Sequence, residues 1–190
     1  MENFLRNIKL IDEFSMTLPI SRSDFVSGLR SHVDEGTIDG LFDGAFEGLS
    51  SSENLFKGLV DHNGFKIRKR RRFFERKFSF TKAIGNFREQ GNALIVNTKL
   101  VAWSNFMILY YVLVTGFYVF FIGMFFNTLA SDGQEFDLFF IGFLIVHALF
   151  MYILPYVMMK RSLTSIKKDV EREFHYIVSK SKMYNQNSMF

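Results

Sequence analysis

The sequence predicts an α+β membrane protein: a small antiparallel sheet with one or two helices, then a two-helix transmembrane hairpin and a C-terminal amphipathic helix. Three observations lead there. Residues 106–126 and 138–159 contain no Asp, Glu, Lys or Arg, although 22% of the 190 residues are charged. Segments before residue 104 alternate apolar and polar side chains, the period of strands with one buried face. Residues 162–180 carry an apolar side chain every third or fourth position, the period of a half-buried helix. An apolar content of 48% excludes a disordered polymer. The absence of cysteine excludes disulfides, thiolate metal sites and thiol nucleophiles.

Residues 1–104 form the expected cytoplasmic α+β domain. Ile8 to Pro19 places Ile8, Leu10, Phe14, Met16 and Leu18 on one side of a strand. Ser21 and Asp24 then read as a capping box, with Phe25, Val26, Leu29 and Val33 on the buried stripe of a helix that ends near Gly36. In 37–49, Ile38, Leu41, Phe42, Ala45, Phe46 and Leu49 keep a helical period. Gly40, Gly44 and Gly48 oppose it, each by about 1 kcal/mol relative to alanine. Asp39, Asp43 and Glu47 share that spacing, which differs from a calcium loop's, and read as a solvated face. From Leu55 on the pattern is that of strands: Leu55–Val60, a turn at Asp61-His62-Asn63-Gly64, a strand from Phe65, another around Phe78–Phe87, a turn at Glu89–Asn92, and Ala93–Ala102. These make four or five antiparallel strands with helices on one face.

Residues 105–159 form the expected hairpin. The run 106–126 rises roughly 32 Å as a helix, enough for a hydrocarbon core of about 30 Å. The connector holds Asp132, Glu135 and Asp137 and no Lys or Arg. Lys66 to Lys99 is densely basic, and Lys160, Arg161, Lys167 and Lys168 follow the second run. The positive-inside rule puts both termini in the cytoplasm, and an inner-membrane protein with two spans is expected. Met1 to Asn7 has no apolar core, so no cleavable leader is expected. Residues 160–190 are the C-terminal helix and tail. Ile166, Val170, Phe174 and Ile177 form the helix stripe, which needs the sheet, the bilayer or a second chain to cover it.

Two features are candidates for function. Lys66 to Lys77, KIRKRRRFFERK, offers Lys66, Arg68, Lys69, Arg70, Arg71 and Arg72 to anionic lipid or to a phosphate-bearing ligand. A topological signal with a solvated strand face explains the same run. Nucleic acid is the less favoured partner. In the second apolar run His147 is an ionisable residue at membrane depth, with Thr115 or a tyrosine of the other helix as its hydrogen-bond partner. Pro155 is positioned to kink that helix. The four histidines are scattered, no phosphate loop or His-Glu-x-x-His motif occurs, and neither an enzyme nor a cofactor or metal is expected.

The run FKGLVDHNGFKIRKRRRF, then AIGNF, then a strand entering two apolar helices resembles uncharacterised bacterial membrane proteins with a small cytosolic α+β domain. The resemblance covers about residues 54–160 and implies an architecture rather than an activity. In outline the chain is also similar to nucleotide-sensing membrane effectors of phage defence, which commonly place their membrane helices first. The expected role is a cytoplasm-facing sensing or scaffolding subunit in contact with membrane lipids, as a homo-oligomer or within a larger complex. The alternatives are a ligand-gated, membrane-disrupting effector and a lipid-binding or lipid-modifying protein.

Overall fold

The computed structural model describes residues 2–38, 40, 52, 54–70, 81–132 and 138–187, without the side chains of 128–132, 138 and 184–187. The chain divides into two compact units, one of residues 1–104 with 159–190, the other of residues 105–158.

The first unit is built on a six-stranded sheet. A short helix α1 (Glu2–Asn7) leads into β1 (Ile11–Leu18), α2 (Arg22–Ser31), β2 (Val33–Glu35), β3 (Phe56–Val60), β4 (Gly64–Lys69), β5 (Lys82–Gln90) and β6 (Ala93–Val101). The spatial order is β1-β6-β5-β4-β3-β2. All neighbours are antiparallel except β2 and β3, so the sheet is mixed and not purely antiparallel. The sixth strand accounts for the difference. Val33 fits the helical period after Leu29, but His32 caps α2, and Val33 pairs with Phe56 instead. A three-residue strand is too short to show its own period. Ser21 caps α2 as expected, its hydroxyl accepting from the Asp24 amide. Of the expected helix over 37–49, residues 39 and 41–49 lie outside the described residues, as do Phe78 and Phe80, while Thr37, Ile38 and Gly40 are not helical and Ile38 is buried.

The β3–β4 turn falls at Asp61-His62-Asn63-Gly64, where the sequence predicts it. Val60 pairs with Phe65, Gly64 opens β4, and the Asp61 carboxylate accepts from the amides of Asn63 and Gly64 at 2.8 Å. Gly64 serves packing, because a side chain there would run into the carbonyl of Gly85 on β5. The β5–β6 turn is tight, with Gln90 paired to Ala93 and Gly91 at φ +60°.

Two long helices complete the chain: α3 (Asn105–Asp132) and α4 (Leu138–Asn187). The second apolar run and the expected C-terminal helix are one continuous helix. No Gly or Pro interrupts the chain between Tyr156 and Asn187, and the helical period simply continues. From Met159 on, α4 belongs to the sheet-containing unit. Its stripe of Ile166, Val170, Phe174 and Ile177 is buried. Phe174 meets Phe25 of α2 and Phe65 of β4 edge-on, with centroids 5.2 and 5.6 Å apart. Phe87 of β5 joins both partners. Alternation puts Phe65, Ile67, Ala83, Phe87, Leu94, Val96 and Leu100 on this one sheet face, and all are buried. Gly28 of α2 lets Ile177 approach, since a β-carbon there would lie 2.7 Å from the isoleucine side chain. Lys167 donates to Asp12 of β1 at 2.9 Å and lies over the Phe14 ring.

Candidate functional site

Among the described residues of the basic run, β-strand parity puts Lys66 and Arg68 on one sheet face and Lys69 on the other. Arg70 is held inside the domain, its side chain 4% exposed. Its guanidinium donates to Asp34 and to the carbonyl of Ser52, both at 2.8 Å. Asp34 also accepts from Ser52 at 2.7 Å and from the Asn54 amide at 2.8 Å. Burial alone would raise the Asp34 pKa. The hydrogen bonds from Ser52 and Asn54, with the charges of Arg70 and Lys57, outweigh it and hold the carboxyl below its ordinary value. Lys69 lies 3.4 Å from Asp169 of α4. Arg68 is buried, Lys66 is half-buried on the opposite sheet face from Lys69, and Arg71 and Arg72 lie outside the described residues. Two of the six basic residues thus have a structural role that the sequence run concealed. Their acidic partners lie 36 and 100 residues away, so spacing gives no signal of them.

The 105–158 unit holds a second cluster. His147 hydrogen-bonds through Nδ1 to the hydroxyl of Tyr118 at 2.6 Å, while Phe143 stacks on its ring. Thr115 pairs with the Tyr152 hydroxyl at 2.7 Å, not with His147. Tyr111 and Tyr152 stack with centroids 5.8 Å apart. Phe125 stacks on Phe140.

Tyr110 has a specific role. Pro155 has no amide hydrogen, so the carbonyl of Met151, four residues earlier, loses its helical donor. The Tyr110 hydroxyl donates to that carbonyl at 2.9 Å. An orphaned backbone carbonyl is costly where water is excluded, and a side chain from a neighbouring helix restores its bond. Tyr111 likewise donates to a carbonyl of α4, that of Tyr152, at 3.4 Å. The orphan carbonyl is implied by Pro155 itself, but its partner, 41 residues away, is not. Replacing Tyr110 with phenylalanine should weaken the α3–α4 association by roughly 0.6–2 kcal/mol. Adding Pro155→Ala, which returns the amide donor, should recover most of that loss. Thermal unfolding of the four proteins of this double-mutant cycle in detergent measures both. Equal losses with and without Pro155 would contradict the assignment.

Among the described residues, nothing lies within 4 Å of where a side chain would start at Gly116, Gly123 and Gly142. Among the described residues no group of three His, Asp or Glu side chains is arranged to hold a metal ion. No protein-family model matches this chain, and neither does any curated protein or solved structure.

Proposed function

We propose that this chain is an integral inner-membrane protein in which α3 and the first part of α4 form a two-helix transmembrane hairpin, and that its α+β unit is a non-catalytic binding module at the cytoplasmic face. One observation carries the reading. The apolar surface of both helices is exposed: Val119 is 66%, Phe120 65% and Phe139 84% accessible. A long apolar helix in a water-soluble core would be covered, yet only 17% of the most apolar stretch of α3 and none of that of α4 is buried. Left in water, that area would be unfavourable by about 25 cal/mol per Å²; in lipid it is matched. Charge asymmetry supports the orientation, with acids and no bases between the helices and bases outside them. The binding role rests on the domain's construction: its ionisable groups are largely used in pairs that hold elements together, such as Arg70 with Asp34 and Lys167 with Asp12. Sensing or scaffolding is the corresponding role. Alkaline carbonate should leave the protein in the membrane pellet, and a reporter fused after Phe190 should be active only as a cytoplasmic protein. Release into the supernatant would refute the proposal.

A further inference from the structure

The sheet face opposite α2 and the last part of α4 brings together basic residues that are far apart in sequence. Cross-strand register sets two adjacent rows. The first runs Lys57, Arg68, Lys82, Val101, Ile11, and the second Leu59, Lys66, Ile84, Lys99, Glu13. Five Lys or Arg residues therefore share one end of one face with two exposed apolar side chains, Leu59 at 50% and Ile84 at 39%. Beside them the next row is Gly64, Asn86, Asn97, Ser15. Glu13, Ser15, Ile84, Asn86, Asn97 and Lys99 line an open depression of about 600 Å³. Asn is disfavoured in central strands, and here two face each other across β5 and β6 with both side chains exposed.

We infer that this face is a docking surface for the anionic headgroups of a phospholipid bilayer. The inference rests on the membrane-spanning reading above and goes beyond it by naming the surface. Charge complementarity supports it: the one acid in these two rows, Glu13, is already paired with Arg6. Lys99 pairs with Glu2, and the other basic residues also hold contacts within the chain. The Lys99–Glu2 pair is solvent-accessible, and accessible pairs contribute little, so a phosphate can take the place of the Glu2 carboxylate. The asparagine amides and the Ser15 hydroxyl add donors for phosphate and glycerol oxygens. Leu59 and Ile84 supply apolar contacts at the depth of the interface. Chain length supports it as well. The basic rows lie at the end of β6 from which only residues 102–104 lead to α3. A membrane anchor so close raises the effective concentration of lipid at the face.

The chain has no cysteine, so Ile84→Cys gives a single attachment point for an environment-sensitive fluorophore. Asn92→Cys, in the β5–β6 turn at the other end of the strands, is the control. The full-length protein is placed in nanodiscs of phosphatidylcholine, with or without phosphatidylglycerol. The label at position 84 should shift to the blue and be shielded from acrylamide only in the anionic discs. Salt at about 0.5 M should reverse this, because the screening length then falls below its physiological value of about 8 Å. The label at position 92 should not respond. Changing Lys66, Lys82 and Lys99 to glutamine should reduce the anionic-lipid preference roughly five-fold per lysine. Equal shielding in both lipids, or an equal response at position 92, would overturn the inference while leaving the membrane anchor intact. A protein that does not enter the discs would overturn both.

Discussion

Replacing Phe174 with alanine should destabilise the sheet-containing unit by about 3–5 kcal/mol, the usual cost of truncating a fully buried phenylalanine. Phe174 is fully buried and stands at the junction of three elements, its ring edge-on to Phe25 of α2 and to Phe65 of β4. Little can collapse into the space it would leave, because Phe25 and Phe65 already pack on Phe87. Limited proteolysis of the detergent-purified protein measures the effect as faster cleavage within β3–β6. Phe174→Leu should recover part of the stability, since it refills most of the volume. Unchanged protection of the sheet would mean that the last part of α4 is not part of its core.

The second large effect is expected at Asp34. Asp34→Ala should cost roughly 3–5 kcal/mol, because it removes the carboxylate that the buried Arg70 guanidinium binds at 2.8 Å. Arg70→Met in the same chain should recover much of the loss, since that buried charge is then gone. Chemical unfolding of the single and double variants tests both. The pH dependence has a definite sign. The folded pKa of Asp34 is depressed despite burial, so its contribution is fully present above the unfolded value of about 3.9. It is lost as pH falls through the folded pKa. Asp34→Asn should therefore flatten the acid limb of the stability profile and leave its pH dependence near neutrality unchanged. An unaltered acid limb would contradict the assignment.

Local periodicity made much of this fold legible. Leu10 to Leu18 and Leu94 to Leu100 alternate, and their apolar positions lie on the core-facing side of the sheet. The Ile166–Ile177 stripe is buried in the structure. Local signals failed where the deciding contact was distant. Val33 pairs with Phe56, which no window around Val33 contains. Lys69 and Arg70 look like their neighbours in a basic run, yet Asp169 and Asp34 remove them from it. Lys57, Lys82 and Lys99 are isolated in sequence and join Lys66 only through register. The parity of β1 and β6 is readable, whereas the order of strands is not. The tyrosines of α3 follow the same logic: Pro155 implies an unsatisfied carbonyl, but three-dimensional proximity alone selects Tyr110 to bond it.

The central claim is that the two apolar helices cross a membrane with the α+β unit on the side of both termini. Single cysteines test it most directly, since the native chain has none. Ser131→Cys and Asn92→Cys are treated separately with a membrane-impermeant maleimide on intact spheroplasts and again after lysis. The account predicts labelling at position 131 without lysis and at position 92 only after it. Labelling at position 92 in intact spheroplasts, with position 131 protected, would contradict it.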